Sequence, residues 1–310
     1  MITLQQLRCL REIARQSLSV SNAAAALDTS QPGVSRQIQA LERALGVRLL
    51  ARSKNRLLGF TEVGQAVLEL ADRVVGEIDN MQAVAADARA EHHGKLRVAT
   101  THLHARYSLR AAIKRFSAEH PQVDFQLQQV DADGIAGLVE RGEAELGVST
   151  DSPGESAALV SLEAAVVRRS LIVPLAHPLA ARKRVTLEEL ARYPFLGYHP
   201  RSRSGRVIAQ AFEARGIEPR YVVSAHDSDV IKAYVAEGLG IAVIPSMALD
   251  PAADRALHAS DVTSLFPRSR MVISLRKGAY ARRYVTDFIA MLTPQWPREA
   301  VLGALAGVQM

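Results

Sequence analysis

The sequence predicts an α/β protein in three parts: an N-terminal winged helix-turn-helix, a long linker helix, and a two-lobed α/β domain. Three observations predict it. Ser19 to Arg56 reads as two short helices around a tight break, followed by a basic loop. One apolar stripe then repeats at three and four residues from Val67 to Ala85. From Lys95 onward, short apolar runs alternate with helical patterns, as parallel sheets with covering helices require.

Leu4, Leu7, Leu10 and Ile13 or Ala14 share one helical stripe, so residues 3 to 16 form a first helix. Cys9 sits within it as a small core residue. The second helix is Ala-rich, with Ala23, Ala24 and Leu27 facing inward, and its small side chains allow a close crossing. Asp28 and Thr29 favour a turn, because their side chains compete for backbone partners. Ser30 is a good N-cap, and Pro32 sits in a first turn that needs no hydrogen bond from it. Val34, Ile38 and Leu41 bury one stripe of the third helix, which Gly46 ends. Its outer face carries Gln31, Ser35, Arg36 and Gln39. Gln and Arg make paired hydrogen bonds to base edges, Ser reaches bases or phosphates, and a helix N-terminus offers amides to a phosphate. This is the layout of a reader helix for the major groove; the alternative is a helical hairpin with a solvated polar face.

Val47–Leu50 and Leu57–Phe60 read as two strands of a wing around Ser53-Lys54-Asn55-Arg56. Arg36, Arg43, Arg48, Arg52, Lys54 and Arg56 stand against Glu42 alone, so this stretch concentrates the chain's net charge of +6. Arg52, Lys54 and Arg56 suit a DNA backbone or narrow minor groove; a solvated basic loop is the alternative.

Thr61 caps the next helix, which runs to about Ala90. Val67, Leu70, Ala71, Val74, Ile78, Met81 and Val84 give it an apolar stripe too long for one small domain to cover. The expectation is a homodimer through this helix, with two readers on two half-sites. Asp87 to Gly94, with His92 and His93, reads as a hinge.

Beyond it, strands are expected at Leu96–Ala99, Val123–Leu127 and Glu145–Val148, with helices at Ser108–Glu119 and Gly134–Arg141 between them. A second set has strands at Ser170–Pro174, Phe195–Tyr198, Tyr221–Ser224 and Ile241–Pro245, and helices at Thr186–Arg192, Gly205–Arg215 and Asp229–Glu237. Met271–Leu275 and Arg282–Leu292 are a strand and helix returning to the first lobe. The βαβ order argues for parallel sheets and a cleft between lobes. The expected divisions are 1–60 (reader and wing), 61–93 (linker helix and hinge), 94–294 (two lobes, the first about 94–162 and 268–294, the second about 163–267) and a tail, 295–310.

With 310 residues, 48% of them hydrophobic, two or three folding units are expected. No apolar run approaches the roughly 20 residues of a membrane span, and the first residues lack the apolar block of a secretion signal. A single cysteine excludes an internal disulfide. The cytoplasm is the expected location. No nucleophile–base pair, metal-ligand spacing or phosphate loop is found, so no catalytic residue, metal or cofactor is expected.

The N-terminal motifs resemble those of LysR-type transcriptional regulators: Thr29-Ser30-Gln31-Pro32-Gly33-Val34-Ser35-Arg36-Gln37-Ile38, Leu41-Glu42, Leu45-Gly46 and Thr61-Glu62-Val63-Gly64. Ala99-Thr100-Thr101-His102, Ala105-Arg106-Tyr107 and Ala225-His226-Asp227-Ser228-Asp229-Val230-Ile231-Lys232 are similar to the CysB/Cbl subgroup, which controls sulfur assimilation. The resemblance covers nearly the whole chain. It implies an effector domain like periplasmic binding proteins, a homotetramer on double-stranded promoter DNA, and RNA polymerase as a candidate partner. It also implies sulfate, a sulfonate or a related sulfur anion in the cleft.

The DNA-contacting residues are expected to be Ser30, Gln31, Pro32, Ser35, Arg36, Gln39, Arg52, Lys54 and Arg56. Those of the effector cleft are expected to be Thr100, Thr101, His102, Leu103, His104, Thr150, Ser204 and Gly205. Thr100 and Thr101 end a strand, where ligands bind in open α/β sheets. Leu103 and His104 depart from the subgroup's Thr-Thr-His-Thr-Gln run. Leu103 loses a donor, while His104 is expected to replace one or to carry charge at mildly acid pH. Their joint effect would favour a larger or partly apolar anion. The competing readings are a LysR-type regulator of another pathway with an organic-acid effector, and a solute-binding protein without DNA.

Overall fold

The computed structural model describes residues 1–53, 56–89, 93–151, 156–200 and 202–307, with the backbone alone at Arg56. The chain divides into two compact units, Met1–Glu91 and His92–Met310.

In the first unit, α1 (Leu4–Arg15) opens on a capping box in which Thr3 and Gln6 satisfy each other's backbone amides. α2 (Val20–Ala26) is capped by Ser19, and α3 (Gln31–Leu45) by Ser30, whose Oγ accepts from Gly33 N at 3.2 Å. Asp28 makes the turn between them with φ +49°, and Gly46 closes α3 at φ +72°. Cys9, Leu10, Ile13, Ala23, Ala24, Val34, Ile38 and Leu41 form one core.

The wing is an antiparallel pair, β1 (Leu50–Ser53) and β2 (Arg56–Phe60). Its first strand starts three residues later than the expected Val47. The cause is Glu42, whose carboxylate accepts the amides of Leu49 (2.9 Å) and Leu50 (3.2 Å) while both side chains enter the core. The one acid of the basic stretch thus ties the reader helix to the wing.

α4 (Glu62–Ala88) is 27 residues long, on the order of 40 Å. Thr61 caps it, and Gly64 lies so close to the wing that a Cβ there would stand 1.9 Å from Leu49 O. The stripe read as single is two. Leu68 and Ala71 join the unit's own core and Val75 is also buried, while Leu70, Val74, Met81 and Val84 stay exposed. An Arg11–Asp79 ion pair at 3.2 Å adds a second tie between α1 and α4.

The second unit holds two five-stranded sheets. The first contains β3 (Gly94–Thr100), β4 (Val123–Gln129), β5 (Leu146–Thr150), β6 (Leu159–Val167) and β12 (Ser269–Arg276), in the order β4-β3-β5-β12-β6. α5 (Arg110–Glu119), α6 (Ala132–Glu140), α10 (Arg283–Leu292) and α11 (Arg298–Leu305) belong to this lobe. Phe116 packs edge to face with both Phe125 and Phe288 in its core, and Phe125 and Phe288 meet at a tilt. Val301 and Leu305 of α11 enter the same core, so the tail is part of the lobe.

The second sheet contains β7 (Arg169–Pro174), β8 (Phe195–Tyr198), β9 (Tyr221–Ala225), β10 (Ile241–Pro245) and β11 (Leu257–Asp261), in the order β11-β7-β10-β8-β9. α7 (Leu187–Leu190), α8 (Arg203–Glu213) and α9 (Ser228–Ala236) belong to it. Both sheets are mixed rather than wholly parallel. β12 runs antiparallel to β5 and β6, and β7 antiparallel to β10 and β11. β6 and β11 were not anticipated, and β6 keeps the chain in the first sheet through Val167, five residues past the expected 162. The lobes are therefore joined by two crossovers, one at Arg168 and one shortly before Ser269.

Among the described residues, no helix is long and apolar enough to cross a membrane.

Candidate functional site

The reader face is assembled by the α3 stripe. With Val34, Ile38 and Leu41 buried, the opposite side presents Gln31, Pro32, Arg36 and Gln39 exposed and Ser35 half-buried. Ser30 accepts from the helix amide, so its own proton stays available to donate. Gln31 accepts from Ser21 Oγ at 3.4 Å, which places α2 beside the front of α3. Arg36 Nε rests on Pro32 O at 3.3 Å, a weak contact that leaves the guanidinium end outward. Arg52 is exposed on the wing; Lys54 and the Arg56 side chain lie outside the described residues. The structure thus brings Ser30, Gln31, Pro32, Ser35, Arg36 and Gln39 onto one face, of a size that a major groove about 12 Å wide admits.

The cleft residues are placed differently from the expectation that they all face an anion. Thr100 is fully buried, and its hydroxyl donates to Val148 O at 2.8 Å, inside the sheet. Thr101 is half-buried at the head of the next helical segment, where its carbonyl accepts from Ala105 N. His102 is exposed, with Nε2 3.7 Å from Asp229 Oδ2. Leu103 packs against the core of the second lobe.

His104 opens a π-helical turn, His104–Ser108, and has no exposed surface. Its Nδ1 lies 2.9 Å from Ser108 Oγ and its Nε2 3.0 Å from Thr150 Oγ1. Ser108 Oγ donates onward to Met247 Sδ at 3.1 Å, so Nδ1–H donates to Ser108 and Thr150 donates to Nε2. Burial holds this imidazole down at about 4, so it does not charge at mildly acid pH as the sequence reading expected. Thr150's proton is engaged in the same chain.

On the other lobe, Ser202 caps α8, accepting from Gly205 N at 3.0 Å, two residues ahead of the expected Ser204. Ser204 is half-buried in the first turn. Gly205 is buried, and a Cβ there would lie 2.3 Å from His199 O, so glycine lets α8 seat against the end of β8.

Several residues outside the set expected to line the cleft join the lobes. Asp151, just past β5, has φ +59° and accepts from Arg203 Nε and Arg270 N, each at 2.8 Å. Tyr107 Oη donates to Asp229 Oδ1 at 2.5 Å, and Arg106 pairs with Asp229 at 2.8 Å. Lys232, buried, donates to Ala248 O (2.8 Å), Asp254 (3.0 Å) and Tyr107 Oη (3.3 Å). His102, Asp227 and Asp229 approach within 4.8 Å of one another, but Arg106 and Lys232 already neutralise Asp229, and Asp227 caps α9. Arg169 is buried at the first crossover. Arg106, Tyr107, Asp227, Asp229 and Lys232 lie in the motifs that carry the family resemblance, whereas Asp151 and Arg169 carried no sequence signal stronger than a charged residue beside an apolar run.

Known proteins match this chain along its length. A family model described as the bacterial regulatory helix-turn-helix protein, lysR family, matches residues 4–65, and one described as the LysR substrate binding domain matches residues 89–297. The HTH-type transcriptional regulator SsuR of Burkholderia cenocepacia is 40% identical over 301 residues, covering 97% of this chain and 98% of that protein. The regulator CysB of the same organism is 38% identical over 306 residues, covering 99% and 98%. The crystal structure of the cofactor-binding domain of the Cbl transcriptional regulator superposes with a TM-score of 0.65 at 33% identity, covering 69% of this chain and 94% of that one.

Proposed function

The chain belongs to the LysR family of bacterial transcriptional regulators, in its CysB/Cbl-like subgroup, and we propose from that premise that its effector is a sulfur-containing anion governing sulfur or sulfonate assimilation genes. It is a DNA-binding regulator controlled by a small effector, and not an enzyme. The observation that carries the DNA-reading assignment is the outer face of α3, where Gln31, Arg36 and Gln39 stand over a fully buried stripe. Ser30, Pro32 and Ser35 position that face on the backbone, and Arg52, Lys54 and Arg56 supply the wing's phosphate contacts.

Whole-length likeness to SsuR and CysB supports the sulfur reading, as do the subgroup motifs around Thr100 and Asp229. Thr101 and Ser204, each half-buried at the start of a helical segment of its own lobe, offer hydroxyls to the ligand. Leu103 and the neutral His104 add no charge to the cleft, which favours an organic sulfonate over inorganic sulfate. The effector acts by population shift, binding one arrangement of the lobes better than another.

Pairing through Leu70, Val74, Met81 and Val84 gives a homodimer, two of which make the tetramer, in the cytoplasm and beside RNA polymerase at promoters. The test is fluorescence anisotropy on a duplex selected for tight binding, with sulfate, thiosulfate, methanesulfonate, ethanesulfonate and acetate added at matched ionic strength. A sulfur anion should change duplex affinity where acetate does not; an unchanged affinity across the panel refutes the sulfur reading. Arg36→Ala should weaken the selected duplex far more than random DNA, and equal losses would reduce Arg36 to a phosphate contact.

A further inference from the structure

Arg169 is the largest fully buried side chain among the described residues, 1% exposed, and it stands at the junction of the lobes. Its backbone belongs to the second lobe: its amide donates to Thr263 Oγ1 at 2.9 Å and its carbonyl accepts from Val262 N at 3.0 Å. Its side chain reaches toward the other crossover, where Nη2 donates to Ser269 Oγ at 3.2 Å. The Phe266 ring lies 5.9 Å from Cζ. Nε and Nη1 are buried and find no hydrogen-bond partner among the described residues.

The surroundings place this guanidinium at the cleft. Its partner Ser269 adjoins Arg270, which exchanges hydrogen bonds with Asp151, and Asp151 in turn holds Arg203; Tyr198 also interacts electrostatically with Arg169. Tyr198 ends β8, Asp151 follows the end of β5, and Arg203 begins α8. These are the strand ends and the helix start at which ligands of open α/β sheets are held. Tyr198 Oη and Ser228 Oγ, 2.6 Å apart and buried, bond to each other and not to Arg169.

A buried cation without a full set of acceptors is strongly unfavourable. Lysine or histidine escapes that situation by losing its proton, but arginine does not. Burial does lower the affinity of Arg169 for its proton, which means that Asp151 and Tyr198 do not compensate for the water removed. Two of the hydroxyls expected to hold an anion are meanwhile engaged elsewhere, Thr100 with Val148 O and Thr150 with His104.

We propose that Arg169 is the cationic anchor of the effector cleft, and that its free N–H groups take the oxyanion head group of the ligand. This rests on the effector reading above and adds the residue that neutralises the ligand's charge. Planar guanidinium donors favour head groups with two or more oxygens, such as a sulfonate, sulfate or carboxylate, over a monatomic anion. Entry requires the lobes to part, and the Arg203–Asp151 ion pair is the contact that must open.

The test is a thermal-shift titration of the full chain with sulfate, methanesulfonate, ethanesulfonate, acetate and chloride at constant ionic strength. The wild type should be stabilised by at least one oxyanion and not by chloride. Arg169→Met removes the unpartnered donors and keeps the volume, so without ligand it should melt at or above the wild type. It should bind the preferred oxyanion about 10- to 100-fold more weakly, as expected for a lost charged hydrogen bond. Ser269→Ala removes the guanidinium's hydrogen-bond partner and leaves the cation, so its oxyanion affinity should stay within about threefold of wild type.

Unchanged binding in Arg169→Met overturns the inference and leaves the effector reading standing. So does a ligand-free Arg169→Met chain that melts well below wild type, or a Ser269→Ala chain as impaired as Arg169→Met, because either makes the role one of packing. A wild type that no oxyanion stabilises overturns the effector reading and this inference together.

Discussion

Replacing His104 by glutamine should flatten the acid side of the stability curve. The imidazole has no exposed surface, and burial holds it at about 4, against 6.5 in the unfolded chain. Between those two values the unfolded chain binds a proton that the folded chain refuses. Stability from this group is therefore complete above pH 6.5 and is lost as pH falls toward 4. Linkage makes the loss about 1.4 kcal/mol at pH 5.5 and about 2.6 kcal/mol at pH 4.5, approaching about 3.4 kcal/mol below both values. His104→Gln keeps a polar end for Ser108 or Thr150 but cannot titrate. Thermal melts of both full-length chains from pH 8 to 4.5 isolate the effect, because the other histidines cancel in the difference. Relative to the variant, the wild type should fall by roughly 3–6 °C between pH 8 and 5.5. Parallel curves would refute the reasoning, since they would mean that His104 titrates alike in both states and is solvated in the fold.

Two further substitutions test the first unit. Gly64→Ala sets a Cβ 1.9 Å from the Leu49 carbonyl, backbone against side chain with no flexible end to yield. It should destabilise the wing–α4 junction by about 1–3 kcal/mol or more and weaken duplex binding, read by a lowered first melting step; an unchanged melt would refute the close approach. Leu70→Glu combined with Met81→Glu places carboxylates on the exposed stripe of α4. Sedimentation equilibrium should show the tetramer reduced to a smaller assembly, with duplex affinity falling about 100-fold or more as paired engagement is lost; an unaltered assembly would place the pairing surface elsewhere.

The parts of the fold that local chemistry decides were readable from residues alone. Ser30, Pro32 and Gly46 bound α3 as their capping preferences require, and Thr61 starts α4. What distant segments decide was not readable. Leu68, Ala71 and Val75 look continuous with Leu70 and Val74 in sequence, and only packing against α1 separates an inner face from an outer one. β6 and β11 are sheet edges with mixed polarity, and their antiparallel pairing depends on crossovers that no periodicity marks. In the cleft, Thr100 and Thr150 had the right chemistry, but their protons go to Val148 and His104. Arg169 follows another arginine at a strand start, which reads as a surface boundary, and its burial arises only where the two crossovers meet.

Packing of α4 on α1, reinforced by the Arg11–Asp79 pair, has a mechanical result. The reading face is bolted to the rod at a set angle, Glu42 locks the wing to the reading helix, and the close approach of Gly64 to Leu49 seats the rod against the same segment. In a paired molecule the gap between the two reading faces is then dictated by how the rods cross, as the jaws of a caliper are dictated by its beam. Lengthening the rod by one residue would turn everything beyond it by about 100°, whereas lengthening a slack tether would change nothing.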